Sequence, residues 1–193
     1  MLRIRLIAIF LAIAAATMVQ AADSAGTQAI DPEKSVITVT VFKAGLFSAF
    51  GHNHEITAPI RSGSFSQQAP AVSLTINARD LKVMDKDISD KDRAEIQQTM
   101  LGPKVLDSER FPEIRFQSRQ VERSGQGKWI IAGDLTVRGQ TQPVKVVVTY
   151  QAGHYRGTAE VKQKDFGITP VSAAGGAVKT KNEMRIEFDV VGK

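Results

Sequence analysis

"KWIIAGDLTVRGQTQPVKVVVTY", residues 128–150, contains two runs of alternating apolar and polar residues on either side of a short polar turn. An alternation with a period of two gives a β-strand one apolar face and one polar face, which is typical of antiparallel sheets with one face on a core. Gly139 lies in the turn and favours a tight hairpin. The pattern therefore predicts a β-hairpin. Its apolar face carries Trp129, Ile131, Leu135, Val137, Val144, Val146, Val148 and Tyr150.

Further strands are predicted on both sides of this hairpin. Residues 36–42 are rich in β-branched side chains, which favour strands. Residues 71–78 and 184–191 alternate in the same way as the hairpin, so each has one apolar and one polar face. The apolar faces of these last two strands carry Val72, Leu74, Ile76, Ile186, Phe188 and Val190.

One segment, SDKDRAEIQQTMLGP at residues 89–103, predicts a helix. Ser89 or Asp90 can cap its first turn, and Ile96 and Met100 share one face. The Gly-Pro dipeptide at its end stops it. Many short antiparallel strands with one short helical excursion predict an all-β fold, in the form of a closed or nearly closed barrel.

The first residues of the chain predict a signal peptide over residues 1–21. Arg3 and Arg5 form a positive segment, residues 6–18 form an apolar run, and small residues follow. The apolar run is short for a bilayer span and leads to a cleavage-like site, so an uncleaved anchor is disfavoured. We expect cleavage after Ala21 or the residue that follows it.

Composition limits the classes of function. The 193-residue chain is long enough for one domain with its own core, and its 25 basic residues face 20 acidic ones. Without the two arginines of the leader, 23 basic residues remain, and they are scattered, so nucleic acid is not favoured as a partner. The lack of cysteine excludes disulfides and thiolate metal ligands. We expect a soluble exported protein, because no later apolar stretch is long enough to span a membrane.

Three motifs in a fixed order resemble the YceI-like family. They are FPEIRF at residues 111–116, GDLTVRG at 133–139 and DFGI at 165–168, and the likeness spans residues 31–191. The resemblance implies a periplasmic bacterial protein whose domain, residues 29–193, folds as a lipocalin-like antiparallel β-barrel of about eight strands. It also implies an isoprenoid lipid held inside the barrel, and pairing of the protein as a homodimer.

The inward faces of such a barrel either fill a closed core or line a cavity. The alternation alone favours a filled core, because most strand faces bury against protein, whereas the resemblance favours a cavity. We expect a carrier or sequestering protein that binds an isoprenoid lipid or a quinone. The predicted ligand-binding residues are Phe42, Phe65, Leu74, Ile76, Phe116, Ile131, Leu135, Val137, Val146, Val148, Phe166 and Phe188.

Two of the three histidines, His52 and His54, are separated by one residue. In an extended segment both rings leave the same face, a spacing that suits two imidazoles on one zinc or copper ion. A metal site normally needs a third protein ligand, and the sequence nominates none, since His154 lies in a distant Gly-flanked turn. We therefore expect the pair to have a polar role at the barrel mouth, close to a lipid head group. The alternative is a small metal-dependent enzyme or redox accessory that uses this pair.

No catalytic motif accompanies the histidines. The Gly-x-Ser-x-Gly elbow of α/β-hydrolases is absent. The acidic run DKDISDKD, residues 85–92, lacks the glycine and the glutamate that an EF-hand calcium loop requires at its sixth and twelfth positions, and we expect it to face water. Together with the family resemblance, which implies the ligand, we expect a binding protein that is not an enzyme and has no cofactor beyond a bound lipid or quinone.

Overall fold

The computed structural model describes residues 26–45, 52–66, 70–173 and 178–193. The predicted signal peptide lies outside these residues. No helix within them has the length and the apolar character needed to cross a bilayer. The strands are β1 Thr27–Ala29, β2 Val36–Ala44, β3 His54–Thr57, β4 Ile60–Ser66, β5 Ala71–Asn77, β6 Lys82–Val83, β7 Glu113–Gly125, β8 Lys128–Val137, β9 Gln140–Gln151, β10 His154–Lys162, β11 Ser172–Ala173 and β12 Val178–Val191, and the helix is α1 Asp90–Leu101.

The strands form one antiparallel sheet in which neighbours in sequence are mostly neighbours in space. The order runs β4, β5, β7, β8, β9, β10, β12, β2, β3. Only Ala58 and Pro59 separate β3 from β4, so these two strands form a single bent strand that pairs with β2 at its start and with β5 at its end. The sheet therefore closes on itself as a ring of eight strand positions, and the predicted antiparallel barrel is confirmed.

The closure requires a second bent strand, formed by β5 and β6, which stays paired with the first on both sides of the bend. After β5, the 3-10 turn Ala78–Asp80 redirects the chain into β6, which pairs with β3. At the free edge of β4, the Ile30 N–H donates to the carbonyl oxygen of Gly63 at 2.9 Å. Ile30 also forms a β-bridge with Gly192, which follows β12. These contacts pair strand edges that the bend would otherwise leave open, which disfavours edge-to-edge association.

The hairpin predicted at residues 128–150 is the β8–β9 pair. Val137 pairs with Gln140, so the turn consists of Arg138 and Gly139 alone. Both turn residues have positive φ, 51° and 71°, as in the type I′ turns that match the twist of two-residue hairpins. The register that this turn sets places the apolar faces of both strands on the inside of the barrel. Tyr150 at the end of β9 departs from the predicted face, since it is 44% exposed and does not line the interior.

Helix α1 covers one end of the barrel. Its first turn is capped by Ser89, whose hydroxyl oxygen accepts a hydrogen bond from the Asp92 N–H at 3.1 Å, as predicted. The predicted apolar face is confirmed, since Met100 is buried and Ile96 packs against the core. The side-chain oxygen of Gln97 accepts from the Val83 N–H at 2.8 Å and fixes the helix to β6.

Two inward-facing glycines lie beneath phenylalanine rings. A Cβ atom at Gly133 would meet the Cζ atom of Phe116 at 2.6 Å, and one at Gly157 would meet the Cζ atom of Phe188 at 2.5 Å. The rings therefore occupy the space that a side chain at each glycine would fill. Glycine is required at both positions because the ring approaches the backbone of the neighbouring strand so closely.

Replacement of Gly133 by alanine tests this packing. The added methyl group meets both the Phe116 ring and the backbone oxygen of Gln117 at 2.6 Å. Overpacking of this kind lowers the free energy of unfolding by about 1–3 kcal/mol, which urea denaturation measures. Gly125→Ala is the matched control, because the nearest atoms to its new methyl group are 3.9 Å away. An equal loss in both variants would contradict this interpretation.

Candidate functional site

The barrel encloses a cavity of about 890 Å³. Its wall consists of the inward side chains of the strand ring, and α1 and the 3-10 turn Gln163–Phe166 contribute residues at one end. Alternation in the sequence was compatible with both a filled core and a cavity. The inward side chains do not fill the interior, and the volume falls in the usual range of small-molecule sites, roughly 300–1,000 Å³.

Most of the predicted ligand-binding residues line this cavity. For those on strands the position follows the alternation, which directs every second side chain inward, and Phe166 reaches the cavity from the 3-10 turn Gln163–Phe166. They are Phe65, Leu74, Ile76, Phe116, Ile131, Leu135, Val137, Val146, Val148, Phe166 and Phe188. The structure thus gives these residues a common location on the wall, and their contact with a ligand stays a prediction.

Phe42 is the exception, and its predicted inward position is wrong. In β2 the cavity is lined by Val41 and Lys43, so Phe42 lies on the opposite, outer face. There its ring centroid lies 5.5 Å from the Cζ atom of Arg185 and 6.0 Å from the Nζ atom of Lys181. The strand period fixes the side of the sheet, and cation–π contacts with the two basic side chains accommodate the aromatic ring outside.

Polar side chains of the cavity wall are concentrated at its two ends. The helix end, defined as the end that α1 covers, contributes Lys43, His52, His54, Asp92, Glu95, Thr99, Lys179 and Thr180. The opposite end contributes Ser66, Arg123, Trp129 and Tyr155. Between them the wall is formed by aliphatic and phenylalanine side chains. Such an interior suits an elongated apolar molecule with a polar group at one end.

The two neighbouring histidines meet at the helix end. His54 opens β3 opposite Val41, and the side-chain oxygen of Asn53 accepts a hydrogen bond from the Lys43 N–H at 3.0 Å. Both His52 and His54 line the cavity, with ring centroids 4.8 Å apart. The strand geometry of this short segment therefore directs both rings to one place.

Asp85 completes a cluster that the sequence did not suggest. Its Oδ2 atom lies 3.2 Å from Nε2 of His52 and 2.7 Å from Nδ1 of His54, and its Oδ1 atom accepts the Glu55 N–H at 2.7 Å. The acidic run was expected to face water, which is wrong for Asp85, since the residue is only 6% exposed. The bend that pairs β6 with β3 brings the residues after β6 alongside the start of β3, where Asp85 accepts the Glu55 N–H.

A signal for Asp85 was nevertheless present in the sequence. Leu81, Val83 and Asp85 alternate with Lys82 and Met84, and the first three are buried while the other two are exposed. Asp85 thus continues the inward face of a short strand. The other aspartates of the run behave differently: Asp90, for example, is exposed and forms an ion pair with Arg93 at 2.6 Å.

The third histidine belongs to a different cluster at the opposite end. Nδ1 of His154 lies 2.7 Å from one carboxylate oxygen of Asp189, and Nε of Arg156 donates to the other oxygen at 2.7 Å. Burial raises the pKa of Asp189, but the hydrogen bonds from His154 and Arg156 outweigh burial and hold the pKa below its ordinary value. His154 therefore cannot join His52 and His54 around one ion.

Comparison with known proteins gives one family. A family model described as a YceI-like domain matches residues 28–192. A UPF0312 protein of Shewanella sp. (strain W3-18-1) is 27% identical over 164 residues, which cover 78% of this chain and 81% of the relative. Another, from Photorhabdus laumondii subsp. laumondii, is 29% identical over 121 residues, or 55% and 58% of the two chains.

Two solved structures share the fold at low sequence identity. BcnA of Burkholderia cenocepacia has a TM-score of 0.62 and 18% identity, with coverage of 85% of this chain and 99% of that chain. A YceI protein of Campylobacter jejuni has a TM-score of 0.50 and 12% identity, with coverage of 72% and 81%. At this identity the likeness describes the barrel and carries no information on the ligand.

The pH dependence of stability tests the pairing of Asp189. Its lowered pKa means that the folded state holds the ionised form more strongly than the unfolded state does, so the stabilisation is present above the ordinary pKa of 3.8 and is lost as the pH falls through the lower folded value. We expect Asp189→Asn to lower the free energy of unfolding at pH 5, and the difference from the wild type to shrink progressively as the pH falls below 3.8, in urea titrations. A difference that stays constant over this range would contradict the pairing.

Proposed function

The chain belongs to the YceI-like family, and we propose that it is a binding protein that holds one isoprenoid lipid or quinone inside its barrel, as a carrier or sequestering protein. The observation that carries the proposal is the apolar cavity of about 890 Å³. Burial of 15 to 20 carbons of an isoprenoid tail gains roughly 12–16 kcal/mol at about 0.8 kcal/mol per carbon. Association and ordering offset much of that gain but leave room for tight binding.

The distribution of polar residues supports an amphiphilic ligand. Apolar side chains such as Ile131, Val146 and Val148 form the middle of the wall, whereas the charged side chains lie at the ends. A polyprenyl tail needs no hydrogen bonds and fits the middle, and a polar head group needs donors and acceptors. His52 and Lys43 at the helix end offer them, and we place the head group there in this proposal.

The proposal does not include catalysis. An enzyme requires a nucleophile, base or metal arranged against a reacting group, and retention of a lipid requires only shape and apolar surface. The features that support the proposal, a large apolar volume and a wall of aliphatic side chains, serve retention. We also propose that the protein acts in the periplasm, because the first 21 residues have the pattern of an export signal.

Filling the cavity tests ligand retention directly. Ala159 is buried, lines the cavity and lies beside Ile131, Val146 and Val148. A tryptophan in its place projects into the volume that the tail would occupy. We expect Ala159→Trp to retain at least tenfold less co-purified apolar lipid than the wild type, measured by native mass spectrometry and organic extraction.

The matched control places the same side chain on the outside. Val147 is 53% exposed, so Val147→Trp adds an indole to the outer surface and leaves the cavity unchanged. It is expected to retain lipid at the wild-type level. Lipid lost equally from both variants, or wild-type protein with no apolar mass excess, would overturn the proposal. Circular dichroism confirms that each variant is folded.

Processing of the chain tests the proposed export. Expression of the full chain in a bacterial host is expected to give periplasmic protein that begins at Ala22 or Asp23, as read by intact mass and N-terminal sequencing. Substitution of both Arg3 and Arg5 by glutamate removes the positive segment that precedes the apolar run and is expected to leave unprocessed precursor in the cell extract. Cytoplasmic wild-type protein that retains Met1 would contradict export.

A further inference from the structure

Three side chains of different elements converge at the helix end of the cavity. His52 precedes β3, His54 opens it, and Asp85 follows β6. One ligand atom from each residue lies within 4.8 Å of the others. Two imidazole nitrogens and one carboxylate oxygen at such separations form the kind of donor set that binds a divalent transition-metal ion.

We propose that His52, His54 and Asp85 form a site for a divalent first-row transition metal, with Zn²⁺ as the reference ion. The sequence opposed a metal site because the histidine pair had no third ligand, and Asp85 supplies it. The proposal goes beyond lipid retention and does not depend on it. Two nitrogens with one oxygen favour zinc, iron or copper, whereas calcium and magnesium prefer oxygen ligands throughout.

The two histidine–carboxylate distances are close to those that a small ion needs. Tetrahedral zinc with bonds of 2.0–2.1 Å separates its donor atoms by about 3.3 Å. Nε2 of His52 lies 3.2 Å from Oδ2 of Asp85, and Nδ1 of His54 lies 2.7 Å from the same oxygen. Lengthening the His54–Asp85 separation by about half an ångström brings both histidine–carboxylate separations to the tetrahedral value. The two imidazole nitrogens must reach the same separation, and one ligand atom from each residue already lies within 4.8 Å of the others.

The ligands are held in place by their neighbours. The Glu55 N–H donates to Oδ1 of Asp85 at 2.7 Å and leaves Oδ2 directed at the histidines. Nε of Arg93 donates to the backbone oxygen of Asp85 at 2.9 Å, which ties the start of α1 to the site. Such outer contacts orient the primary ligands of metal sites and strengthen binding.

The electrostatic environment also favours a cation. The Asp85 side chain is only 2% exposed, and a carboxylate removed from water is costly unless a positive charge or hydrogen bonds compensate. A divalent ion between Asp85 and the two imidazoles supplies that charge. Three protein ligands leave a fourth position, which a water molecule or an oxygen atom of a cavity ligand completes.

A site without metal is the alternative interpretation. In that case each imidazole donates a hydrogen bond to Asp85, and the cluster only joins β3 to the segment after β6. The two interpretations differ in their response to added zinc. If the cluster is only hydrogen-bonded, the protein does not take up zinc with a fixed stoichiometry. Removal of one histidine then leaves the zinc titration unchanged.

The test is calorimetric titration of ZnCl₂ into the full processed protein, purified without a histidine tag and stripped with a chelator. We expect one zinc ion per chain. His52→Ala and Asp85→Asn are each expected to raise the dissociation constant for zinc at least tenfold. Zinc should also raise the melting temperature of the wild type more than that of either variant, because an ion that binds only the folded state stabilises it by mass action.

The chain offers a matched control in its second histidine–aspartate pair. His154→Ala disrupts an equally short contact, 2.7 Å to Asp189, at the opposite end of the barrel. This variant should keep the wild-type stoichiometry and an affinity within twofold. Because the His52 side chain is 39% exposed, His52→Ala is expected to fold even if Asp85→Asn does not.

Two outcomes would overturn the proposal. One is the absence of stoichiometric zinc uptake by the wild type, and the other is an equal loss of affinity in His52→Ala and His154→Ala. Metal uptake and lipid retention are read by different measurements on the same preparation. Failure of the metal site and failure of the proposed lipid function are therefore distinguishable.

Discussion

Closure of the sheet through a paired bend is the constraint on which the rest of the structure depends. The strand formed by β3 and β4 turns at Ala58 and Pro59, and its partner, formed by β5 and β6, turns beside it at Ala78–Asp80. Proline lacks an N–H group, so its place between two strands costs no ladder hydrogen bond. Once these two strands bend together, the inward side chains of all strands face a common interior. The diameter of that interior follows from the number of strands.

The same bend creates the polar cluster. Because β6 pairs with β3 only after the turn, the residues that follow β6 lie next to the residues that precede β3. Asp85 thus meets His52 and His54 across 31 to 33 positions of sequence. Strand pairing, with its fixed register, is what brings a buried carboxylate to the histidines, so the cluster is a consequence of barrel closure.

What the sequence predicted, and what it did not, follows from the range of each interaction. Alternation in β8 and β9 is a local property, and it correctly assigned residues such as Leu135 and Val148 to the interior. Phe42 was misplaced, although its alternation with Val39 and Val41 in β2 indicates the outer face. Asp85 was missed because its partners lie in another strand, although its alternation with Leu81 and Val83 indicated an inward position. The cavity itself depends on the closed ring, which no single strand pattern specifies.

Two of the inward phenylalanines also help to explain why the interior remains open. A phenylalanine that projects toward the axis of an eight-stranded barrel would fill much of its cross-section. Phe116 and Phe188 instead lie against the wall, over Gly133 and Gly157, in the space that a side chain at each glycine would take. Because each ring packs over a glycine, it stays close to the sheet and leaves the centre of the cavity unoccupied. Inward glycine in these strands is therefore part of the cavity's construction, because any larger residue there would displace a ring toward the axis.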